Sequence, residues 1–256
     1  MSGPARRYDL RIFVDGFRKR VSCKHKSLAQ QMLMTLTLFH TSPANVSTFD
    51  GLLAELAPSG DVTVQHVVDE SILREARDVG RLTPAMQWRV EQRVQNLLAE
   101  DGGAVVLCTC STVGACAEGA GAIRVDRPMV ARAVTLATHR VIIAVTLHST
   151  LGPTRALVLD EVSRAGKALE IVEVFCDGAW AHFERGEKEL YLCNIANAVR
   201  GVARTGDAVV LAQASMVGAE KYCADLDVPV LSSPRIGLAA ALAALANLRS
   251  TQPHER

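Results

Sequence analysis

The sequence lacks most of the features that settle a protein's class at first sight. No apolar run is long enough to cross a bilayer, and no charged head, apolar middle and small-residue cleavage site opens the chain. A cytoplasmic address is therefore expected, with no membrane partner. The CxC pair Cys108/Cys110 has no accompanying CxxC or HxxxH, so no metal site is expected. No GxGxxG follows a first strand, and GGAVV at 102 to 106 precedes its strand, the wrong order for a phosphate loop. With no distinctive lysine context either, neither a nicotinamide nor a pyridoxal cofactor is supported, and none is expected. Seven cysteines, an odd number, follow no small secreted framework and read as reduced thiols.

What is present points to a globular chain. At 256 residues, with 49% hydrophobic and 21% charged content, it can bury a substantial core, and its length lies between one large domain and two small ones. The net charge of +1 conceals an asymmetry. Residues 1 to 31 carry eight basic side chains against two acids, a local +6 that leaves the remainder at −5. Such an arm could bind an anionic partner, but it also fits a solvated extension of no set structure, or translation starting at Met34, where MTLTLFH reads as the head of a buried strand. We read it as an extension, and no nucleic-acid partner is expected.

After that arm the chain alternates. Short apolar runs at 36–39, 62–68, 104–109, 141–146, 169–175, 208–213 and 228–231 are separated by longer helical patterns. This is βαβ order, and runs without polar alternation predict parallel strands covered by helices on both faces. Helix starts are expected at Ser47/Thr48, at Thr83-Pro84 and at Pro153-Thr154. Two stretches nearly repeat: AVVLCTCSTVGA (104–115) and AVVLAQASMVGA (208–219). Each is a strand running into Ser-x-Val-Gly-Ala, the part least explained by shared hydrophobicity. Two such halves facing each other would set two strand ends and two helix starts across one cleft, a geometry suited to an anion.

HTSPANVSTFDGLLAEL (40–56), VDESILRE (68–75), VLCTCSTVGA (106–115), VTLHSTLGPT (145–154), VLAQASMVGAE (210–220) and VPVLSSPRIGL (228–238) together resemble the cofactor-independent aspartate/glutamate racemase superfamily, which includes hydantoin racemase, maleate isomerase and arylmalonate decarboxylase. The resemblance spans about residues 34 to 240. It implies an α/β fold of two pseudo-symmetric lobes, each a mainly parallel sheet flanked by helices, with the active site between them. The lobes are expected at 32–138 and 139–235, with a C-terminal helix at 236–250 returning to the first lobe and a tail at 251–256. A homodimer and a small carboxylate substrate are expected as well.

In this superfamily two cysteines, one per lobe, face opposite sides of the substrate α-carbon. Inverting a stereocentre without a cofactor needs one group to remove a proton and another, on the other face, to return one. Cys110-Ser111-Thr112 matches the pattern of a thiol followed by Asn or Ser and then Thr, which makes Cys110 the expected catalytic group. A helix N-terminus would lower its pKa. Ser111 and Thr112 would donate to the substrate carboxylate, and Ser149 and Thr150 would do so from the second lobe. His40 and Thr41, at the end of the first strand, are candidate contacts, although His40 could equally cap a loop. His148 and His182 carry weaker arguments, and Asp69 reads as a helix cap.

The second thiol is missing. Cys110 aligns with Ala214, or with Gln213 in a shifted registration, and the neighbouring Ser215 is a poor proton carrier at pH 7 unless activated. Gln213, Ala214 and Ser215 are thus expected to line the site without replacing the thiol. Three readings stay open: racemase-like proton transfer with Cys110 and a non-cysteine partner, a one-thiol decarboxylase or cis-trans isomerase, and a carboxylate-binding protein without a reaction.

Overall fold

The computed structural model describes residues 35–251 apart from 61 and 101–104. The basic arm at 1–31, Met34, Cys23 and the tail beyond 251 lie outside the described residues. In the first half the order is β1 (Thr35–His40), α1 (Ala44–Leu56), β2 (Thr63–Val68), α2 (Glu70–Val79), α3 (Pro84–Glu100), β3 (Val105–Cys108), α4 (Gly114–Gly119), β4 (Ile123–Arg124) and α5 (Arg127–Leu136). The second half runs β5 (Arg140–Val145), α6 (His148–Arg164), β6 (Glu170–Phe175), α7 (Ala179–Glu184), α8 (Lys188–Val202), β7 (Ala208–Leu211), a 3₁₀ turn (Ala214–Met216), α9 (Ala219–Tyr222), β8 (Val230–Ser232) and α10 (Ser233–Thr251).

Two four-stranded sheets result, ordered β2-β1-β3-β4 and β6-β5-β7-β8, and every pair is parallel. The identical strand order is the structural form of the sequence repeat. Central strands β1, β3, β5 and β7 are buried almost throughout, whereas the edge strands β2 and β6 are half exposed. That difference matches the Val/Ile/Leu-rich central runs and the Thr, Gln, His and Glu that interrupt the edge runs. The two-residue strand β4 is too short to leave a periodic signal and was not anticipated.

Each sheet has helices on both sides. Phe39, Val94, Val106 and Ala117 pack on one face of the first sheet. On its other face, Leu36, Leu38, Phe49 and Leu107 meet Leu238, Ala241 and Leu245 of α10, so the C-terminal helix folds back onto the first sheet. Helix α5, inside the stretch expected to belong to the first lobe, instead contributes Met129, Val130, Ala133 and Val134 to the core of the second sheet. Among the described residues no helix is long and apolar enough to cross a membrane.

Helix starts follow local chemistry with two corrections. Thr83 caps α3, with its carbonyl accepting from Gln87 N and its hydroxyl from Met86 N, and Asp69 caps α2 by accepting from Ser71 N. Helix α1 starts at Ala44, ahead of Ser47/Thr48, because Pro43 already holds a helical φ of −66°. Helix α6 starts at His148 rather than at Pro153-Thr154 and carries Pro153 inside it. Pro153 is the sixth residue of α6, past the first turn where proline is free, so the helix forgoes the bond to the Ser149 carbonyl. The two repeated glycines have a packing reason: a Cβ on Gly114 would lie 2.9 Å from Arg124 Nε, and one on Gly218 would lie 2.6 Å from Leu192 Cδ1.

Candidate active site

In each sheet the strand order switches sides between the two parallel central strands, so a crevice opens at their carboxyl ends. Thr41 follows β1 and Cys110 follows β3; Leu147 follows β5 and Ala214 follows β7. All four line one pocket between the two halves, together with Ser111, Thr112, Thr150, Gln213 and Ser215. The halves touch directly there, with the Thr112 and Thr150 hydroxyls 2.9 Å apart.

The equivalence of the halves extends to their hydrogen bonds. Strand pairing sets Leu36 opposite Val105 and Ile142 opposite Val209, which makes His40 the counterpart of Thr146, and Thr109 that of Gln213. In the first half His40 Nδ1 lies 2.8 Å from Thr109 Oγ1. In the second, Gln213 Oε1 accepts from both the backbone N–H and the hydroxyl of Thr146, at 2.7 and 2.8 Å. Because those two donors fix the amide oxygen on Thr146, they also fix the orientation of the pocket-lining Gln213 amide. Ser215, the counterpart of Ser111, lies 2.8 Å from the buried Tyr191 hydroxyl, whose pKa burial pushes up to about 12.

Cys110 is buried at the pocket wall, and burial raises its pKa. Opposing that shift, without overcoming it, are the Thr41 hydroxyl, the backbone N–H groups of Val113 and Thr112, and the Thr112 hydroxyl. The expected lowering by a helix start is thus corrected: donors are present, but desolvation outweighs them. An ordinary thiol at pH 7 is about 3% ionised, so Cys110 rests protonated. Cys108, two residues earlier, is deeper still; its pKa is driven well above normal by burial, and its sulfur bonds the Cys110 carbonyl at 3.6 Å, as a packed thiol does. All six cysteines of the described residues are unpaired.

Ser111 carries a second kind of signal. Its hydroxyl is buried without a hydrogen-bond partner, although the residue lines the pocket. A buried polar atom left unsatisfied costs stability, and in a cleft its natural partner is a ligand.

Two expected contacts lie elsewhere. His40 is fully buried and does not line the pocket; its Nε2 lies 2.9 Å from His66 Nδ1, and His66 Nε2 reaches Asp50 at 3.0 Å. Its pKa is lowered to about 3 by burial and by His66, so it stays neutral. Ser149 is buried with an unpartnered hydroxyl but does not line the pocket. His148 stacks on Phe175 at 4.1 Å, and His182 bonds Glu187 at 2.6 Å. Sequence reasoning missed Ser42, Asn45 and Thr109, which flank recognised positions and were within reach. It also missed Leu73, Trp180 and Phe183, which arrive on α2 and α7 and carry no local signal. Among the described residues no group of side chains could hold a metal ion.

No protein-family model matches the chain, and no curated protein matches it either. Solved structures do. A glutamate racemase isoform from Bacillus anthracis superposes with a TM-score of 0.60 at 14% identity, covering 84% of this chain and 82% of its own. The aspartate racemase of Picrophilus torridus gives 0.62 at 11%, covering 83% and 94%. The allantoin racemase of Klebsiella pneumoniae gives 0.57 at 17%, covering 87% and 91%. The chain therefore shares the α/β fold of these glutamate, aspartate and allantoin racemases, here as two four-stranded parallel sheets.

Proposed function

We propose that this protein is a cofactor-independent enzyme that transfers a proton at the α-carbon of a small carboxylate, with Cys110 as its working thiol. The observation that carries the reading is the pairing, in one interlobe pocket, of the Cys110 thiol with an orphaned Ser111 hydroxyl. The fold shared with glutamate, aspartate and allantoin racemases supports the same direction.

The carboxylate is held by the Ser111 hydroxyl, by amides of the turn after β3 and by the Gln213 amide of the other wall, while the mutually bonded Thr112 and Thr150 hydroxyls have one O–H between them left to give it. Hydrogen bonds to an anion are about twice as strong as neutral ones, so such a cradle can hold the carboxylate without a cation. As negative charge moves from the α-carbon into the carboxylate, those donors strengthen. The thiol rests protonated, so it acts first as an acid. Once carbon dioxide has left the α-carbon, or its proton has left to water on the other face, the electron pair remains on that carbon; the S–H bond then breaks as the new C–H bond forms, and the thiolate left behind recovers a proton from water.

One observation favours a single-thiol reaction over two-base racemisation: Ala214 stands where the counterpart of Cys110 would be. The test is incubation with small carboxylic acids in deuterated water, following deuterium uptake, optical rotation and carbon dioxide together. Uptake with retention or gas release supports the one-thiol reading. Uptake with inversion requires a second proton carrier. Saturable ligand protection against heat with no turnover for any acid leaves a binder and overturns the enzyme.

A further inference from the structure

Behind the pocket wall four side chains form one hydrogen-bonded line. Thr109, which lines the pocket, meets His40 Nδ1 at 2.8 Å; His40 Nε2 meets His66 Nδ1 at 2.9 Å; His66 Nε2 meets the Asp50 carboxylate at 3.0 Å. The two imidazoles stack with their planes 7° apart. The line thus runs from the buried Thr109 to Asp50, whose side chain is 59% exposed. His40 of β1 and Asp50 of α1 are the ionisable groups that face His66, and His40 in turn meets Thr109, His66 and the Phe49 ring.

Each contact in the line needs one proton between its two atoms, and a carboxylate supplies none. His66 Nε2 therefore carries a proton toward Asp50, and two arrangements of the rest are consistent. In the first, His66 Nδ1 is bare and accepts from His40 Nε2–H, so His40 Nδ1 is bare too and the Thr109 hydroxyl must donate to it. In the second, His66 is a cation that also donates from Nδ1, His40 Nε2 accepts, and His40 Nδ1–H donates to the Thr109 oxygen. The second holds one proton more, taken up from solvent. His40 is neutral in both, as its burial requires.

The difference reaches the pocket as the direction of one O–H bond. In the second arrangement the Thr109 hydroxyl proton is released from His40. It can turn to the Phe39 carbonyl, 3.2 Å away, but that oxygen already accepts the Thr109 backbone N–H at 3.0 Å and is satisfied without it. An anion in the pocket is a stronger acceptor. In the first arrangement the same oxygen has only lone pairs left to offer, and these repel an anion. Across the cleft Gln213, the counterpart of Thr109, has no such freedom, because Thr146 fixes its amide.

We infer that Thr109 is a further ligand-binding residue of this pocket and that His40 and His66 position its hydroxyl, so that binding a carboxylate takes up one proton at the His66–Asp50 end of the line. The inference rests on the carboxylate cradle proposed above but not on Cys110 chemistry.

The experiment follows the imidazole nitrogens by NMR in the full chain carrying isotope-labelled histidine, with acetate as the probe and His40 assigned by the loss of its signals in His40→Asn. The chosen pH values bracket the range in which histidines ordinarily change charge. His40 should carry its proton on Nε2 at pH 8 and on Nδ1 at pH 5.5, and acetate added between the two should shift it toward the Nδ1 form. One hydrogen bond to an anion corresponds to about tenfold in affinity, so acetate should bind about tenfold tighter at pH 5.5 than at pH 8. Thr109→Val, which lacks the hydroxyl, and His66→Phe, which keeps a stacking ring but no proton site, should each bind acetate equally at both pH values. A His40 tautomer unchanged between pH 5.5 and pH 8 in the wild-type protein, or acetate affinity equal at the two, overturns the inference and leaves the cradle standing. So does a Thr109→Val protein that binds acetate with the wild-type pH dependence. No acetate binding by the wild-type protein at either pH sinks the cradle and the inference together. The wild-type measurements decide by themselves if a variant fails to fold.

Discussion

The protonation state of Cys110 is set by a contest between burial and four hydrogen-bond donors, and one of those donors can be removed almost without disturbing the packing. Thr41 is buried, and Val has nearly its shape, so Thr41→Val deletes a hydroxyl that favours the thiolate and leaves the burial unchanged. A hydrogen bond to a charged group contributes about 1.5–3 kcal/mol. Losing it should therefore slow every reaction of the thiolate by at least about tenfold at fixed pH, since 1.4 kcal/mol is a factor of ten. The assay is alkylation by iodoacetamide at pH 8, read by mass spectrometry on the peptide that contains Cys110, with Cys110→Ala marking the background from the other cysteines. In both proteins the rate should rise with pH through and beyond the ordinary thiol range, because burial raises the pKa. An unchanged Thr41→Val rate, or a wild-type rate that levels off below pH 7, would refute the account of what surrounds the sulfur.

Four other outcomes follow from particular contacts. Ala214→Cys puts a second thiol at the counterpart of Cys110 and should give inversion where wild type gives retention, which chiral chromatography of a reacted acid would reveal. His40 is neutral when folded, with a pKa of about 3, but has an ordinary value when unfolded. The unfolded state therefore takes up a proton first, so this contribution is complete above about pH 6.5 and is lost progressively toward pH 3, by at most about 1.4 kcal/mol per pH unit. A scan of melting temperature against pH should show that acid slope, reduced in His40→Asn. Gly237→Ala would place a Cβ 2.4 Å from the Val125 carbonyl, forcing α10 off the first sheet at a cost of about 1–3 kcal/mol, visible as a drop in melting temperature. Arg124→Met strands the fully buried Asp126 that Arg124 now holds through two bonds of 2.7 and 3.1 Å, and should cost about 3–5 kcal/mol in denaturant unfolding.

How much of this was readable beforehand depends on whether the determining contacts were local. Seven of the eight strands announced themselves: β1, β3, β5 and β7 because central strands of a parallel sheet are buried on both faces and must be continuously apolar, and β2, β6 and β8 because their Val, Ile and Leu content still stood out between helical patterns. The turn after β3 was readable because Cys110, Ser111 and Thr112 are consecutive, and the repeat supplied Gln213, Ala214 and Ser215 opposite. Trp180 and Phe183 could not be foreseen, since α7 reaches the pocket only through tertiary packing. The direction of the Cys110 pKa was misjudged for a related reason: three of the four donors lie in the adjacent Thr112 and Val113, whereas the desolvation that outweighs them comes from packing into the core of the first sheet, with residues as distant as Phe39 and Val90. His40 misled in the opposite way. A histidine at a strand's carboxyl end suggests a ligand contact, but its ring turns away from the pocket to bond Thr109 and His66, and both partners are distant in sequence.

The central claim is that proton transfer at the α-carbon runs through one sulfur. Its most direct test is the rate of solvent deuterium incorporation into a turned-over carboxylate at pH 7, compared between the wild-type protein and Cys110→Ala. General acid–base groups contribute about 10²–10⁴ in rate, so a loss of at least about a hundredfold is predicted, with ligand binding retained. Equal rates in the two proteins would contradict it.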